Sequence, residues 1–467
     1  ITNSQSIIHA KGVARLVARF YVYNSGKTEA LFHPNEGSIY PKQRLYFDKT
    51  EPLFHESNNS LYIRCQNKMN LLMKRSFLYV IFSLFLLLLP IGQTTANSND
   101  SIRLSLLTCA PGEVIYTLFG HTAIRYENPS QGIDVVFNYG LFSFDIPNFA
   151  LRFSLGETDY RLGVIDYPHF AGEYAYFGRS VWQQTLNLNN EEKAELIRLL
   201  QENYRPENRV YRYNFFYDNC ATRPRDKIEE SIAGKVIYPV EPQDGSRTFR
   251  EIVHQYCKGH PWARFGIDLC IGGEADRPIT QRQMMFAPFY LMDAFAGAQI
   301  TGDSIQRPLV TDSELIVDAT PEEGENFWIP TPLQSALLLF ILTAAATIYG
   351  IRRRTGLWGV DLILFGTAGI AGCILAFLAL FSEHPAVSSN FLLFVFHPDQ
   401  LLFLPYIIYC VRKGKKCWYL TLNLIILTLF IVLFPVIPQR FDFAVVPLAL
   451  CLLIRSVSNL IVTSKKK

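Results

Sequence analysis

His121-Thr122-Ala123-Ile124-Arg125-Tyr126, the breaker-rich turn Glu127-Asn128-Pro129-Ser130-Gln131-Gly132 and the run Ile133-Asp134-Val135-Val136-Phe137-Asn138-Tyr139 read together as a β-hairpin. With the turn centred between Pro129 and Ser130, antiparallel pairing sets His121 opposite Asn138, Ala123 opposite Val136 and Arg125 opposite Asp134. Side chains alternate along a strand, so those residues share one face. Thr122, Ile124, Tyr126, Ile133, Val135, Phe137 and Tyr139 share the other, which is core-like. One face is therefore apolar, and the other presents a histidine with an amide across from it and an Arg–Asp pair beside it. A slip of one residue would aim Phe137 or Tyr139 at His121 instead.

Around the hairpin lies an aromatic-rich segment, residues 97–330, long enough to bury a core of its own. Ser101–Leu107 reads as a short strand leading to Pro111-Gly112. Asn190–Asn203 reads as an amphipathic helix, with Glu191, Glu192, Lys193, Glu195 and Arg198 outward and Leu196, Ile197, Leu199 and Leu200 inward. The run Tyr211, Tyr213, Phe215, Phe216, Tyr217 ends at Asp218-Asn219-Cys220, where a second helix is expected to start. Asn219 is a good N-cap and Pro224 is tolerated only in a first turn, so Cys220 falls at a helix N-terminus. There the helix dipole and the nearby Arg223 and Arg225 would stabilise a thiolate. A buried, inert cysteine closing a helix–strand contact is the competing reading. A thiol, an imidazole that takes its proton and an amide that orients the ring form a Cys-His-Asn constellation, here Cys220, His121 and Asn138.

Four of the nine cysteines, Cys109, Cys220, Cys257 and Cys270, fall in this segment. Cys257 and Cys270 are near enough in sequence for a local disulfide, whose geometry sequence alone does not fix. The remainder, Cys65, Cys373, Cys410, Cys417 and Cys451, are most simply inert. No CxxC or HExxH pattern occurs, so no metal or cofactor is expected. A net charge of only +3 argues against a nucleic-acid partner.

Hydrophobic residues make up 49% of the chain and charged ones 18%, which fits neither a purely soluble nor a purely membrane protein. Spans of about 20 apolar residues are expected at Leu333–Ile351, Val360–Phe381, Phe391–Val411, Trp418–Phe434 and Phe441–Val462. Basic residues cluster at Arg352 to Arg354, at Arg412, Lys413, Lys415 and Lys416, and at Lys465 to Lys467. They occupy alternate loops, which the positive-inside rule places in the cytoplasm, with the 97–330 domain on the opposite side. The third span is interrupted by His397-Pro398-Asp399-Gln400, a polar break expected near or within the outer leaflet. Met69 to Arg75, the apolar run Phe77 to Ile91 and Thr94-Thr95-Ala96 have the order of a signal peptide. Residues 69–96 are thus read as that peptide and residues 1–68 as a non-native or disordered extension.

Phe119-Gly120-His121-Thr122-Ala123-Ile124-Arg125, then Phe137-Asn138-Tyr139-Gly140, then Asn219-Cys220-Ala221-Thr222-Arg223-Pro224-Arg225 resemble the DUF4105 family, the Lnb-type lipoprotein N-acyltransferases of Bacteroidota. The resemblance extends over roughly residues 97–460 and takes in Ser382-Glu383-His384-Pro385 and Asn390. The order His, Asn, Cys is also similar to the permuted NlpC/P60 group that includes lecithin:retinol acyltransferase, although those enzymes commonly have a second His where Asn138 stands. The resemblance implies an α+β, permuted papain-like periplasmic domain over residues 97–330, followed over 331–467 by an all-α bundle of about five transmembrane helices in the inner membrane. It implies acyl transfer from a phospholipid through a Cys220 thioester to the α-amino group of a lipoprotein's lipidated terminal cysteine. Arg223 and Arg225 would then bind lipid phosphate, and His384 and His397 would line the lipid entry. A periplasmic cysteine peptidase or amidase acting on peptidoglycan is the alternative, and a non-catalytic membrane scaffold a third.

Overall fold

The structure is a computed structural model describing residues 101–143, 147–242, 244–302, 306–320 and 328–464. The expected extension and signal peptide lie outside the described residues. The 101–320 part is built on a seven-stranded antiparallel sheet with strand order β10-β5-β1-β2-β3-β4-β6. The strands are β1 (Arg103–Cys109), β2 (His121–Asn128), β3 (Ile133–Leu141), β4 (Asp159–Asp166), β5 (Val181–Leu186), β6 (Val210–Arg212) and β10 (Val310–Val317). Three short strands, β7 (Lys235–Ile237), β8 (Gln299–Thr301) and β9 (Gln306–Pro308), make a separate small sheet. The domain mixes helices with an antiparallel sheet, in line with the α+β class that the resemblance implies.

The β2–β3 hairpin forms in a register two residues from the expected one. Arg125 pairs with Val136, Glu127 with Asp134 and Asn128 with Ile133. The strands run further into the turn because Gly132 takes a left-handed conformation, φ 65°, and Gln131 N–H donates to Asn128 O. A two-residue slip leaves every side chain on its expected face, since the strand period is two.

Both faces are covered, and here the expectation of a single apolar face is corrected. Ile124, Tyr126, Val135, Phe137 and Tyr139 pack into a core with Leu104, Leu106, Leu196, Leu200, Ile228 and Phe295. The opposite face, with Ala123, Val136, Leu107 and Cys109, is roofed by Phe170 and Tyr174 of helix α2 (Tyr167–Tyr176). Burying Phe170, 1% exposed, stabilises the roof by on the order of 2 kcal/mol. Before α2 comes a short helix, α1 (Phe149–Leu155).

Helix α3 (Asn190–Tyr204) starts where expected because Asn189 and Glu192 form a reciprocal capping box. Leu196, Leu199 and Leu200 are buried as predicted. Glu192 is buried rather than outward, its carboxylate holding both the cap and Arg307. Helices α4 (Thr222–Ser231), α5 (Phe249–Tyr256), α6 (Pro261–Cys270), α7 (Gln281–Met284) and α8 (Pro288–Gly297) complete the domain. Cys257 and Cys270 are free thiols.

Among the described residues four helices are long and apolar enough to cross a membrane: Pro332–Arg353, Trp358–Phe381, Trp418–Val436 and Val445–Thr463. They belong to α9 (Pro332–Arg353), α10 (Trp358–Phe381), α13 (Trp418–Leu433) and α14 (Val445–Ser464). The third expected span is not one helix. A 3-10 turn at Phe391–Phe394 leads through α11 (Asp399–Leu402) to α12 (Leu404–Lys413). The broken segment still travels from one end of the bundle to the other. Asn390 Nδ2 donates to Leu269 O of the soluble domain, whereas Arg412 lies 5.5 Å over the ring of Trp358 at the far end.

Glycines on α10 explain how an irregular segment fits. A Cβ on Gly369 would stand 2.5 Å from Leu401 N, and one on Gly372 would stand 2.6 Å from Phe396 O. Gly372 falls 14 residues after Trp358 and 9 before Phe381. At ~1.5 Å per residue the polar break lies about 14 Å inside the domain-side end, within the domain-side half of the helix. Polar groups find partners there: Gln400 Nε2 donates to Val395 O at 2.8 Å, His397 Nε2 lies 3.2 Å from Asn423 Oδ1, and Tyr419 Oη lies 3.3 Å from His397 Nδ1.

The soluble domain is clamped onto the loops at that end of the bundle. Gly272 N–H donates to Ala386 O at 2.7 Å, Glu383 N–H to Leu155 O at 2.8 Å, and Arg264 pairs with Asp442 at 3.1 Å. A Cβ on Gly272 would stand 1.9 Å from Ser388 O, so the backbones meet where only glycine fits. The basic residues Arg352 to Arg354 stand at the opposite end of α9.

Candidate active site

β2 begins at His121 because Gly120 turns the chain in a left-handed conformation, φ 77°, and passes so close to β1 that a Cβ would stand 2.6 Å from Cys109 O. His121 is the cross-strand partner of Cys109 and diagonal to Asn138. Its Nε2 lies 2.6 Å from Asn138 Oδ1. An amide oxygen only accepts, so Nε2 carries the hydrogen and Nδ1 is left as the basic nitrogen.

Cys220 reaches the same place from the other side of the sheet's end. A turn at Asn214–Asp218 brings the chain round, and Asn219 is then fixed by donating to Phe215 O and Phe286 O. The oxygen of Asn219 accepts from the backbone N–H groups of Ala221 and Thr222, but α4 itself starts later than expected, at Thr222 with Ala221 as its N-cap, so Cys220 lies in the turn two residues before the first helical residue. The meeting point is Gly140, φ 91°, where β3 and β4 lose register. A Cβ there would stand 3.6 Å from Cys220 Cβ, 3.9 Å from His121 Cε1 and 4.0 Å from Tyr211 Oη. Thiol, imidazole and phenol thus surround a space that a glycine leaves open.

The electrostatics differ from expectation. Burial pushes the Cys220 thiol up to about 11, against hydrogen bonds from the backbone of Thr122 and of Cys220 itself and the charge of Arg179. Burial holds His121 down to about 4, against the bond to Asn138. The resting pair is a neutral thiol and a neutral imidazole, not the thiolate that a helix N-terminus suggests. A neutral imidazole is the form able to take the thiol proton as the sulfur attacks. Cys109, fully buried and pushed up to about 12 by that burial, is shut off from substrate.

Arg223 and Arg225 do not face outward as phosphate ligands. Arg223 forms a two-point pair with Asp218 at 2.6 and 2.7 Å and lies 3.5 Å over the Tyr211 ring. Arg225 is buried between Asp226 and Arg282 O. His384 packs against Phe153 at the junction with the bundle, 6.2 Å between rings. His397 is in the bundle interior, apart from the thiol. Two residues escaped sequence reasoning. Arg179, whose Nε donates to Ala110 O at 2.8 Å, is the cation acting on both Cys220 and His121. Tyr211 has a buried hydroxyl without a hydrogen-bond partner. Nothing local in the sequence marks either, because each reaches the site through the sheet topology. Among the described residues no group of His, Cys, Asp and Glu could hold a metal ion.

A thiol, an imidazole and an amide grouped at the end of an antiparallel sheet, in a mixed α/β domain clamped to apolar helices, define a membrane protein with a folded domain outside its helical bundle. Residues 92–253 match the Lnb N-terminal periplasmic domain and residues 323–467 the Lnb transmembrane domain, so the chain belongs to the Lnb family. No curated protein and no solved structure matches it.

Proposed function

We propose that the protein is a lipoprotein N-acyltransferase of the inner membrane, with its soluble domain in the periplasm and the basic ends of its helices in the cytoplasm. The observation that supports this reading best is the convergence of Cys220, His121 and Asn138 around Gly140 in a domain fixed to a membrane bundle. In the first half-reaction His121 Nδ1 takes the thiol proton as Cys220 Sγ attacks the ester carbonyl of a phospholipid. The C–S bond forms, the ester C–O bond breaks, and the lysophospholipid hydroxyl leaves with the proton from His121. In the second, the α-amino group of the acceptor's lipidated cysteine attacks the thioester. An amide forms, the C–S bond breaks, and the amine proton passes by His121 to the departing sulfur. No cofactor enters either half. Both substrates are lipids, and confinement to one membrane layer raises their effective concentration at the thiol.

The test is mass spectrometry of the full chain in nanodiscs containing a phospholipid of defined acyl chains. A fatty-acyl mass on the Cys220 peptide, discharged by a diacylated lipopeptide, is the expected result. Cleavage of muropeptides with no acyl adduct would overturn the reading in favour of an amidase.

A further inference from the structure

Helix α1, Phe149-Ala150-Leu151-Arg152-Phe153-Ser154-Leu155, contains no buried residue. It is delimited by left-handed backbone at Asn148 and Gly156. Leu151 and Phe153 are 50% and 47% exposed. Side chains left this open in water forgo the gain of burial, and a short helix with no buried side chain has little reason to be apolar.

Its position supplies the reason. The C-terminus of α1 is bonded to the domain-side end of α10 through Glu383 N–H to Leu155 O at 2.8 Å, and Phe153 packs on His384. Just inside the bundle, Leu380 and Phe381 of α10 are themselves widely exposed. Trp262, which donates to Pro330 O just before α9, and the exposed Trp328 stand near the same end of the bundle, as aromatic residues do at a membrane surface. The apolar side chains of α1 therefore stand where lipid begins.

From α1 a row of rings leads toward the strand end that carries Gly140. Phe153 neighbours Phe149 at 6.0 Å, Phe149 stacks on Phe142 at 5.9 Å, and Phe142 meets Tyr160 at 5.0 Å and Tyr116 at 6.1 Å. Phe142 is two residues beyond Gly140, the glycine against Cys220 and His121. Tyr116, with Val114 and Ile115, adds a second exposed apolar edge.

We propose that α1 and the segment around Tyr116 form a lipid-seated lip over which an acyl chain of a bilayer glycerophospholipid passes to Cys220, guided by Phe153, Phe149 and Phe142. The inference rests on the acyl-transfer reading and assigns it an entry route. Such an apolar path lets the chain leave the bilayer without exposing its methylenes to water.

The experiment uses the full chain as Cys220→Ala, so that lipid is bound but not consumed, in nanodiscs containing a phospholipid with a diazirine at the end of one acyl chain. Irradiation is expected to label the peptides carrying Phe149 to Phe153 and Tyr116. In the wild-type background, Leu151→Glu with Phe153→Glu should lower the rate of acyl-Cys220 formation by at least tenfold, and Leu151→Met with Phe153→Leu should restore it. Labelling confined to the bundle helices, or labelling of α1 only by a photoreactive lipopeptide, would overturn the route even if Cys220 is acylated. A labelled α1 in a wild-type protein that never gains an acyl group would instead overturn the acyl-transfer reading.

Discussion

His121 and Asn138 are joined at 2.6 Å along a diagonal of the β2–β3 ladder, not across a direct pair. Diagonal neighbours on one face of a sheet stay within reach of long side chains, so the amide orients the ring despite the shifted register. The imidazole is thereby held with Nε2 engaged and Nδ1 free.

From this arrangement, Cys220→Ser is expected to abolish acyl transfer with the melting temperature nearly unchanged, because volume and the Asn219 cap are kept. His121→Ala should be nearly as severe. Asn138→Ala, which removes only the orienting bond, should lose about 10²-fold at most. Single-turnover acylation of each variant measures this, and full activity of Cys220→Ser would refute the mechanism.

The pH profile follows from burial. His121, held at about 4, stays neutral through the mildly acidic range, so the acidic limb of kcat/KM should fall near that value and not near 6.5. Stability has the matching sign. The unfolded chain protonates this histidine at its ordinary 6.5 while the folded one does not, so stability falls as pH drops from 6.5 toward 4. Cys220 works in the other direction: between its ordinary 9.0 and about 11 the folded state keeps a proton that the unfolded state loses, and stability falls as pH rises through that window. Thermal melts across the pH range, compared with His121→Ala and Cys220→Ser, check both windows.

Gly140→Ala should cost about 1–3 kcal/mol for the left-handed backbone alone and should also put a methyl between the thiol and the imidazole. Activity is expected to fall further than the melting temperature can account for. Equal retention of activity and stability would mean that the space is not the reacting one.

The unpaired hydroxyl of Tyr211 yields a sharper contrast. Tyr211→Phe removes a buried group that has no partner in the fold, so stability should hold or rise. If the hydroxyl donates to the oxyanion, acylation slows by about 10²–10³ with substrate affinity unchanged. A kcat equal to wild type would exclude that role.

In the bundle, Asp361 and Arg455 are buried partners at 2.8 Å, with Asn459 and Thr347 completing the set. Arg455→Ala leaves the carboxylate alone and should destabilise the membrane part by about 3–5 kcal/mol, whereas replacing both by apolar residues should cost far less. Urea or heat denaturation in detergent, with the double variant as reference, measures the difference.

Sequence by itself determined the faces of β2 and β3, the capped start of α3, a helix soon after Cys220, and the apolar stretches of the bundle. Each is a local property: a period of two survives a slipped register, a cap needs only its own turn, and a span needs only its length. Tertiary structure decided the rest. Helix α2 roofs the face that the hairpin alone leaves open, and burial around Cys220 outweighs the helix terminus and holds the thiol protonated. Asp218 and Tyr211 engage the arginine that sequence offered to phosphate, and glycines of α10 draw His397 to the middle of the bundle. Protonation, exposure and pairing depend on what distant segments bring into contact, and along the chain those neighbours are far apart.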